Sequence, residues 1–204
     1  RTTPEDSSLA GQSFSTQGLI NDQFQISLLG RHQITNAATA ITAALVLKSS
    51  LPAITTAVIK QGLSKAKWAG RLDIISRQPF ILLDGAHNDA GLNSLASALD
   101  NCPFPPADTL VVGIKSDTNP RPIIEKIAPR FRQIITTQAN YDPFPAQKLQ
   151  SLFNPKKYAL QAIPDPRRAI AYATKNFKPD SLLLVTGSLY LIGDVMSVLK
   201  NRPA

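Results

Sequence analysis

Asp84, Gly85, His87 and Asn88 stand together directly after the continuously apolar run Phe80 to Leu83. That order puts a carboxylate, a flexible hinge residue and an imidazole where a buried strand breaks into a helix, and open α/β sheets take nucleotides in the crevice beyond the carboxyl ends of their strands. The same residues also suit a plain turn, with Asp84 and Asn88 as turn and cap residues and His87 as a surface imidazole. Just upstream lies Trp68-Ala69-Gly70-Arg71-Leu72-Asp73. Arg71 is a planar fork suited to a phosphate or a carboxylate, or to a surface pair with Asp73. Two further stretches have the same character. Gly30-Arg31-His32-Gln33-Ile34-Thr35-Asn36-Ala37 runs into an alanine-rich helix, and Thr186-Gly187-Ser188-Leu189-Tyr190-Leu191 follows the apolar run Leu182 to Val185.

The elements that must hold these groups read as follows. Phe80 to Leu83 has the unbroken hydrophobicity of a strand covered on both faces of a parallel sheet, which sets Asp84 at its carboxyl end. Gly85 frees the backbone, and Asn88 or Asp89 caps a helix through Leu92, Leu95, Ala96 and Leu99. Arg1 to Gln17 is polar and rich in Ser and Thr, and Gly18 to Leu29 reads as a hairpin turning at Asn21-Asp22 with Phe24, Ile26 and Leu28 alternating. Helices are expected from Ile34 to Leu47 and from Ile54 to Ala66, separated by Pro52. Beyond a boundary at Lys65 to Trp68, strands and helices alternate. The strands are Leu72 to Ser76, Phe80 to Leu83, Thr109 to Ile114, Gln133 to Thr137, Tyr158 to Ala162 and Leu182 to Val185. The helices after them start near Pro120, Pro145, Pro166 and Ser188, and proline suits a first helical turn because its missing N–H has no intrahelical partner there. Such alternation predicts an α/β fold, a mostly parallel sheet flanked by helices.

Composition narrows the function. With 204 residues and 43% hydrophobic content the chain can build one good core or two modest ones. No apolar run reaches the roughly 20 residues that span a bilayer, so no membrane role is expected, and the uncharged stretch Ile34 to Leu47 reads as a buried helix. No signal peptide stands at the start, and a cytoplasmic location is expected. The single Cys102 allows no internal disulfide and reads as inert, and with two histidines no protein-built transition-metal site is expected. The formal charge of +8 is dispersed, with small groups at Lys156-Lys157 and Arg167-Arg168 and no aromatic-basic motif, so it reads as a solvated surface and not a nucleic-acid interface. A glycine-rich dinucleotide fingerprint is missing, which argues against an oxidoreductase on this sheet.

Taken in order, Gly-x-His-Gln-x-x-Asn-Ala from Gly30, Trp-x-Gly-Arg-Leu from Trp68, Leu-Asp-Gly-Ala-His-Asn from Leu83 and Thr-Gly-Ser-Leu-Tyr-Leu-x-Gly-x-Val from Thr186 resemble the folylpolyglutamate synthase and dihydrofolate synthase family of the Mur ligase superfamily. The resemblance covers the chain from about Gln25 onward. It implies that residues 1–66 end a central ATPase domain and that residues 67–204 form the Rossmann-like carboxyl-terminal domain. It further implies ATP, magnesium, L-glutamate and a folate or dihydropteroate as cofactors and substrates, and a monomeric enzyme.

Residue by residue, the resemblance gives Asn36 a contact with adenine, to which a carboxamide offers both donor and acceptor. It gives Arg71 the ATP phosphates, whose developing charge a fixed cation stabilises, and Asp84 the ribose hydroxyls. His87 and Ser188 are matched to the incoming amino acid or the acyl phosphate, and each also suits capping its own helix. The helix-opening amides after Asp84 and Gly187 would attract an anion such as a glutamate carboxylate. Two departures stand out. After Gly113 the family's Asp-Lys-Asp becomes Asp117-Thr118-Asn119, which keeps the acid and loses its basic neighbour, and Asp89 replaces a proline. No glycine-rich phosphate loop occurs and the chain opens on Arg1, so it is expected to be a portion of a ligase, inactive alone, whose amino-terminal part and metal ligands lie elsewhere. The alternatives are another Mur-type amide ligase acting on a cell-wall precursor, and a non-catalytic binding module.

Overall fold

The computed structural model describes residues 1–200 and divides into two compact units, one formed by Arg1–Ala69 with Ser97–Pro103, the other by Gly70–Ala96 with the residues from Phe104 on.

In the first unit, β1 (Thr2–Ser8), β2 (Gly11–Thr16) and β3 (Asp22–Ile26) form an antiparallel meander, followed by α1 (Arg31–Leu47) and α2 (Thr56–Ser64). Phe14 of β2 faces Phe24 of β3 in register, their rings stacked with centroids 5.9 Å apart, and Ile26, Ile34, Ala37, Ile41 and Ile59 complete the core. The hairpin expected from Gly18 to Leu29 is thus displaced. Its first strand is β2, and the chain reverses between Thr16 and Asp22, where the Gly18 N–H donates to Asn21 Oδ1 at 3.0 Å. The cause is that β2 turns two polar residues inward. Gln12 is buried with its amide donating to the carbonyls of Leu28 (2.8 Å) and Gly30 (3.0 Å), and buried Thr16 donates to the Ile20 carbonyl at 2.9 Å. Satisfied buried polar groups break the apolar alternation that marks a strand.

α1 begins three residues before Ile34, which puts Asn36 on its second turn. Nor is it the buried helix expected, because its buried residues are Gln33, Ile34, Ala37 and Ile41 alone. α2 starts on an N-cap in which Thr55 Oγ1 accepts from the Val58 N–H.

The second unit is a six-stranded sheet in the order β4-β5-β9-β6-β7-β8, with β4 (Asp73–Arg77), β5 (Phe80–Asp84), β6 (Ala107–Val112), β7 (Gln133–Thr136), β8 (Ala159–Ala162) and β9 (Leu182–Thr186). The pair β4–β5 is antiparallel and every other neighbouring pair is parallel, so the expected α/β class is met. Between the strands run α3 (Asp89–Asn101), α4 (Arg121–Lys126), a 3-10 turn (Ala128–Arg130), α5 (Ala146–Gln150) and α6 (Pro166–Asn176), and α7 (Leu189–Lys200) ends the fold. Ile81, Leu83, Val111, Ile135, Leu183 and Val185 pack with Ala169, Ile170 and Ala173 of α6 and Leu191, Ile192 and Val195 of α7. Their neighbours of opposite parity, Leu82, Leu110, Ile134 and Leu184, are equally buried, as a sheet covered on both faces requires. Each such side chain contributes about 1.5–3 kcal/mol by leaving water.

Register decides where the chemistry lies. Asp84 of β5 pairs with Thr186 of β9, and Thr186 pairs in turn with Val112 of β6. Three adjacent strands therefore end level, and the next residues are Gly85, Gly187 and Gly113.

Candidate functional site

The carboxyl edge of β5 and β9 is built largely from backbone. Asp84, 6% exposed, accepts the Leu72 N–H on Oδ2 and the Ala86 N–H on Oδ1, both at 2.9 Å. Asp73 Oδ2 accepts the Gly70 N–H at 3.0 Å, and the Gly85 N–H donates to the Gly70 carbonyl at 2.8 Å. Two blocks that are separate in sequence are thus one structure. The residues on either side of Arg71 are held by carboxylates, and Leu72 is kept at φ 45°.

Arg71 itself is half-buried and makes no hydrogen bond or ion pair among the described residues. The surface pair with Asp73 is not formed, since Asp73 binds a backbone amide instead. A guanidinium with all its donors unspent has the fork geometry that matches a carboxylate or a phosphate.

His87 is exposed, with Nδ1 2.8 Å from the Gly85 carbonyl. A carbonyl only accepts, so Nδ1 carries the hydrogen, and in the neutral ring Nε2 is then an acceptor. Asn88 Oδ1 accepts the Gly91 N–H at 2.8 Å and opens α3, while Asp89 in its first turn pairs with Lys126 at 2.6 Å, which holds the Asp89 carboxyl below its ordinary range. Ser188 is 2% exposed, and its Oγ accepts the Tyr190 N–H at 3.2 Å, so it caps the start of α7. Gly187, at φ 109°, lies so near the neighbouring loop that a Cβ would stand 2.7 Å from the Gly113 carbonyl oxygen, and at Gly85 it would stand 2.2 Å from Leu189 Cδ2. Arg71, Asp84, His87 and Ser188 thus belong to one unit and to the loops of its carboxyl edge.

Asn36 belongs to the first unit. It is exposed on α1 and donates from Nδ2 to Gln33 Oε1 at 3.0 Å, while Gln33 Nε2 lies 3.0 Å from His32 Nε2. The carboxamide is fixed by a side chain and not by helix backbone, and its oxygen accepts no hydrogen bond among the described residues. A cleft of ≈ 270 Å³ in this unit, bounded among others by Asp6, Gln12, Gln25 and Ser64, contains none of the five residues singled out by sequence.

Sequence reasoning missed a cluster on the same edge of the second unit. Lys115 Nζ lies 3.2 Å from Asp117 and 3.6 Å from Asp142, and hydrogen bonding to Asp117, reinforced by both charges, raises its pKa. Asp117 therefore has a basic neighbour after all, two residues upstream where the family's pattern has it downstream. Asp194 accepts both the backbone and side-chain N–H of Asn140 at 2.8 Å, and the rings of the adjacent Tyr141 and of Tyr190 meet at a tilt of 33° with centroids 4.5 Å apart. Tyr190 lay inside a recognised block, but nothing local signalled its partner from another loop. Among the described residues there is no group of three or more His, Cys, Asp or Glu that could hold a metal ion. No helix among them is long and apolar enough to cross a membrane.

A family model described as Mur ligase, glutamate ligase domain, matches residues 70–189. The chain belongs to the Mur ligase family. It is 30% identical over 201 residues to the dihydrofolate synthase/folylpolyglutamate synthase of Bacillus subtilis, covering 96% of this chain and 46% of that protein. It is 31% identical over 195 residues to the folylpolyglutamate synthase of Lacticaseibacillus casei, covering 93% of this chain and 44% of that one. The crystal structure of the folylpolyglutamate synthase of Thermotoga maritima superposes with a TM-score of 0.80 at 28% identity, over 98% of this chain and 46% of that one. This Mur ligase chain therefore spans about half the length of the relatives it matches.

Proposed function

We propose that residues 1–66 end the central ATPase domain of a Mur-type ligase, that residues 67–204 are its carboxyl-terminal domain, and that the complete enzyme joins L-glutamate to the carboxylate of a folate or dihydropteroate. The observation that carries this reading is Arg71, an unspent guanidinium on a loop clamped by Asp73 and Asp84.

In the reaction, an oxygen of the substrate carboxylate attacks the γ-phosphorus of ATP and ADP leaves. The amine of glutamate then attacks the acyl carbon of the acyl phosphate, inorganic phosphate departs, and the nitrogen gives up its proton. Arg71 holds the phosphates and stabilises the charge that develops on them. Asp84 keeps that loop in place and lies at the ribose hydroxyls, and Asn36 offers its carboxamide to adenine. Ser188 with the amides that follow it receives the carboxylate of the incoming amino acid or the acyl phosphate, and His87 serves the incoming amino acid by accepting, through Nε2, a hydrogen bond from its amine. Because a glycine-rich phosphate loop is missing from these 204 residues, the reading includes that they turn nothing over by themselves.

The test joins this chain to the part of the Bacillus subtilis relative that it leaves unmatched. ATP-dependent transfer of labelled L-glutamate is then assayed on dihydropteroate, tetrahydrofolate and a UDP-linked muramoyl peptide. Transfer to a pterin acceptor that Arg71→Ala abolishes is the expected result. Transfer to the muramoyl peptide alone, or activity indifferent to Arg71→Ala, contradicts it.

A further inference from the structure

Tyr141 and Tyr190 follow strands that are not neighbours, since β6 lies between β7 and β9 and about 10 Å separates the axes of those two. Their rings nevertheless meet beyond the carboxyl edge, with centroids 4.5 Å apart, while remaining 55% and 48% exposed. The loop that carries Tyr141 is pinned on both sides of it. On one side Asn140 gives its backbone N–H to Asp194 Oδ2 and its side-chain N–H to Oδ1, and Asp194 stands four residues after Tyr190, one turn along the same face of α7. On the other side Asp142 accepts the Ser116 hydroxyl on Oδ1 at 2.6 Å, and its carbonyl accepts the Ser116 N–H at 2.9 Å. Neither phenol hydroxyl makes a hydrogen bond among the described residues. Rings that served the core would be covered, and rings that only decorated the surface would not need a fixed backbone on both sides. A flat apolar surface held rigid and half open beside Ser188 is one on which an aliphatic chain packs.

We propose that Tyr141 is a positioning residue that acts through Tyr190, whose ring it fixes so that the ring covers the methylene stem of the incoming amino acid. The inference rests on the function proposed above and names what in this chain prefers an amino acid with an unbranched stem over one without. Leu189, 46% exposed and packed over Gly85, extends the apolar surface from Tyr190 toward the turn that carries His87. Charge gives the orientation. Lys115 faces Asp117 and Asp142, one cation against two carboxylates, so the loops beyond Tyr141 repel an anion while the amides after Ser188 attract one. With its amine at His87 and a carboxylate at Ser188, the amino acid has its stem left for the rings.

The test titrates the 204-residue chain with L-glutamate and, separately, with glycine, which has the amine and the carboxylate but no stem, and follows the backbone amides of residues 188–190 by NMR. Native protein should prefer L-glutamate by about fivefold or more, and Tyr141→Ala should shrink that preference to about twofold or less by weakening L-glutamate alone. Asp194→Asn, which loosens the loop without removing a ring, should act in the same direction, and Tyr141→Phe, which keeps the ring, should restore the preference. The absence of a saturable shift with L-glutamate overturns the inference. So does a preference that Tyr141→Ala leaves intact, and so does equal weakening of both ligands, which assigns Tyr141 to holding the backbone alone. In the completed enzyme Tyr141→Ala should raise KM for L-glutamate by the same factor and leave KM for ATP unchanged. Glutamate transfer with a KM indifferent to Tyr141→Ala would sink this inference and leave the proposed function standing. L-glutamate binding that Tyr141→Ala weakens, with no transfer in the completed enzyme, would do the reverse.

Discussion

Asp84→Asn is nearly isosteric and discriminates sharply, because both oxygens of the native carboxylate accept backbone amides, those of Leu72 and Ala86 at 2.9 Å each. The carboxamide retains one acceptor and turns its NH2 toward the other amide, so one buried N–H loses its partner and meets a second donor. A hydrogen bond to a charged acceptor is worth about 1.5–3 kcal/mol, and an unsatisfied buried donor brings the expected loss to roughly 2–4 kcal/mol. Hydrogen exchange followed by NMR reads the two amides separately. At about 1.4 kcal/mol per tenfold, protection at either Leu72 or Ala86 should fall by about thirtyfold or more while the other is less affected. Asp84→Ala should deprotect both, and Asp73→Ala should expose Gly70 alone. In the completed enzyme Asp84→Asn should also weaken ATP binding, since Arg71 is the residue next to the released amide. If both amides in Asp84→Asn keep protection within about threefold of the native protein, Asp84 does not hold the loop, and the account of how Arg71 is positioned fails.

Arg71→Ala should leave the urea midpoint within about 0.5 kcal/mol of the native chain, because nothing in the fold engages the guanidinium, yet abolish glutamate transfer in the completed enzyme. Gly187→Ala should cost about 2–4 kcal/mol in the same urea titration, since φ 109° and a Cβ 2.7 Å from a carbonyl oxygen cannot both be relieved without moving β9. Asp108 is 4% exposed, and its burial alone would raise its pKa, but hydrogen bonds from Arg132, the Lys178 N–H and Thr109 leave it lowered. A carboxylate whose folded pKa lies below its unfolded value stabilises the fold above about pH 4 and loses that contribution as pH falls through the folded value. Urea titrations from pH 6 down to pH 2 should therefore show a decline in native stability that Asp108→Asn flattens, and parallel curves for the two proteins would refute it.

Where the local pattern and the final environment agree, the fold was readable. β5 and β9 are apolar at every position before their last residues, Asp84 and Thr186, because both faces of the sheet are covered. β2 escaped because Gln12 and Thr16 point inward, and their compensation by the carbonyls of Leu28, Gly30 and Ile20 comes from residues four to eighteen positions away. In α1 the uncharged stretch read as a buried helix, yet only Gln33, Ile34, Ala37 and Ile41 are buried, because a lack of charge does not by itself say which faces of a helix are covered. Of the site, residue types were legible from the motifs but their couplings were not. Asp84 reaches Leu72 through a main-chain amide, and any residue other than proline supplies one, so no side chain at position 72 announces the bond. Lys115 was hidden for a similar reason, since a pattern read only downstream of Asp117 passes over a cation placed before it.

The floor of the site and its reactive groups should therefore respond differently to substitution. β5, β9 and β6 end level at Asp84, Thr186 and Val112, and the turns beyond them are so close that Gly187 has no room for a side chain against the Gly113 carbonyl. A floor made of packed backbone cannot adjust to a larger residue, so changes there displace whole loops and should reduce stability and activity together. Arg71 and His87 stand on that floor with few or no bonds to it, so changes at them should alter ligand affinity and leave the unfolding curve where it was. Measuring urea midpoint and glutamate transfer across Gly187→Ala, Asp84→Asn, Arg71→Ala and His87→Ala should separate these four variants into two pairs. A His87→Ala protein that loses as much stability as Gly187→Ala would show that the imidazole supports the turn through Gly85 and does not serve a ligand.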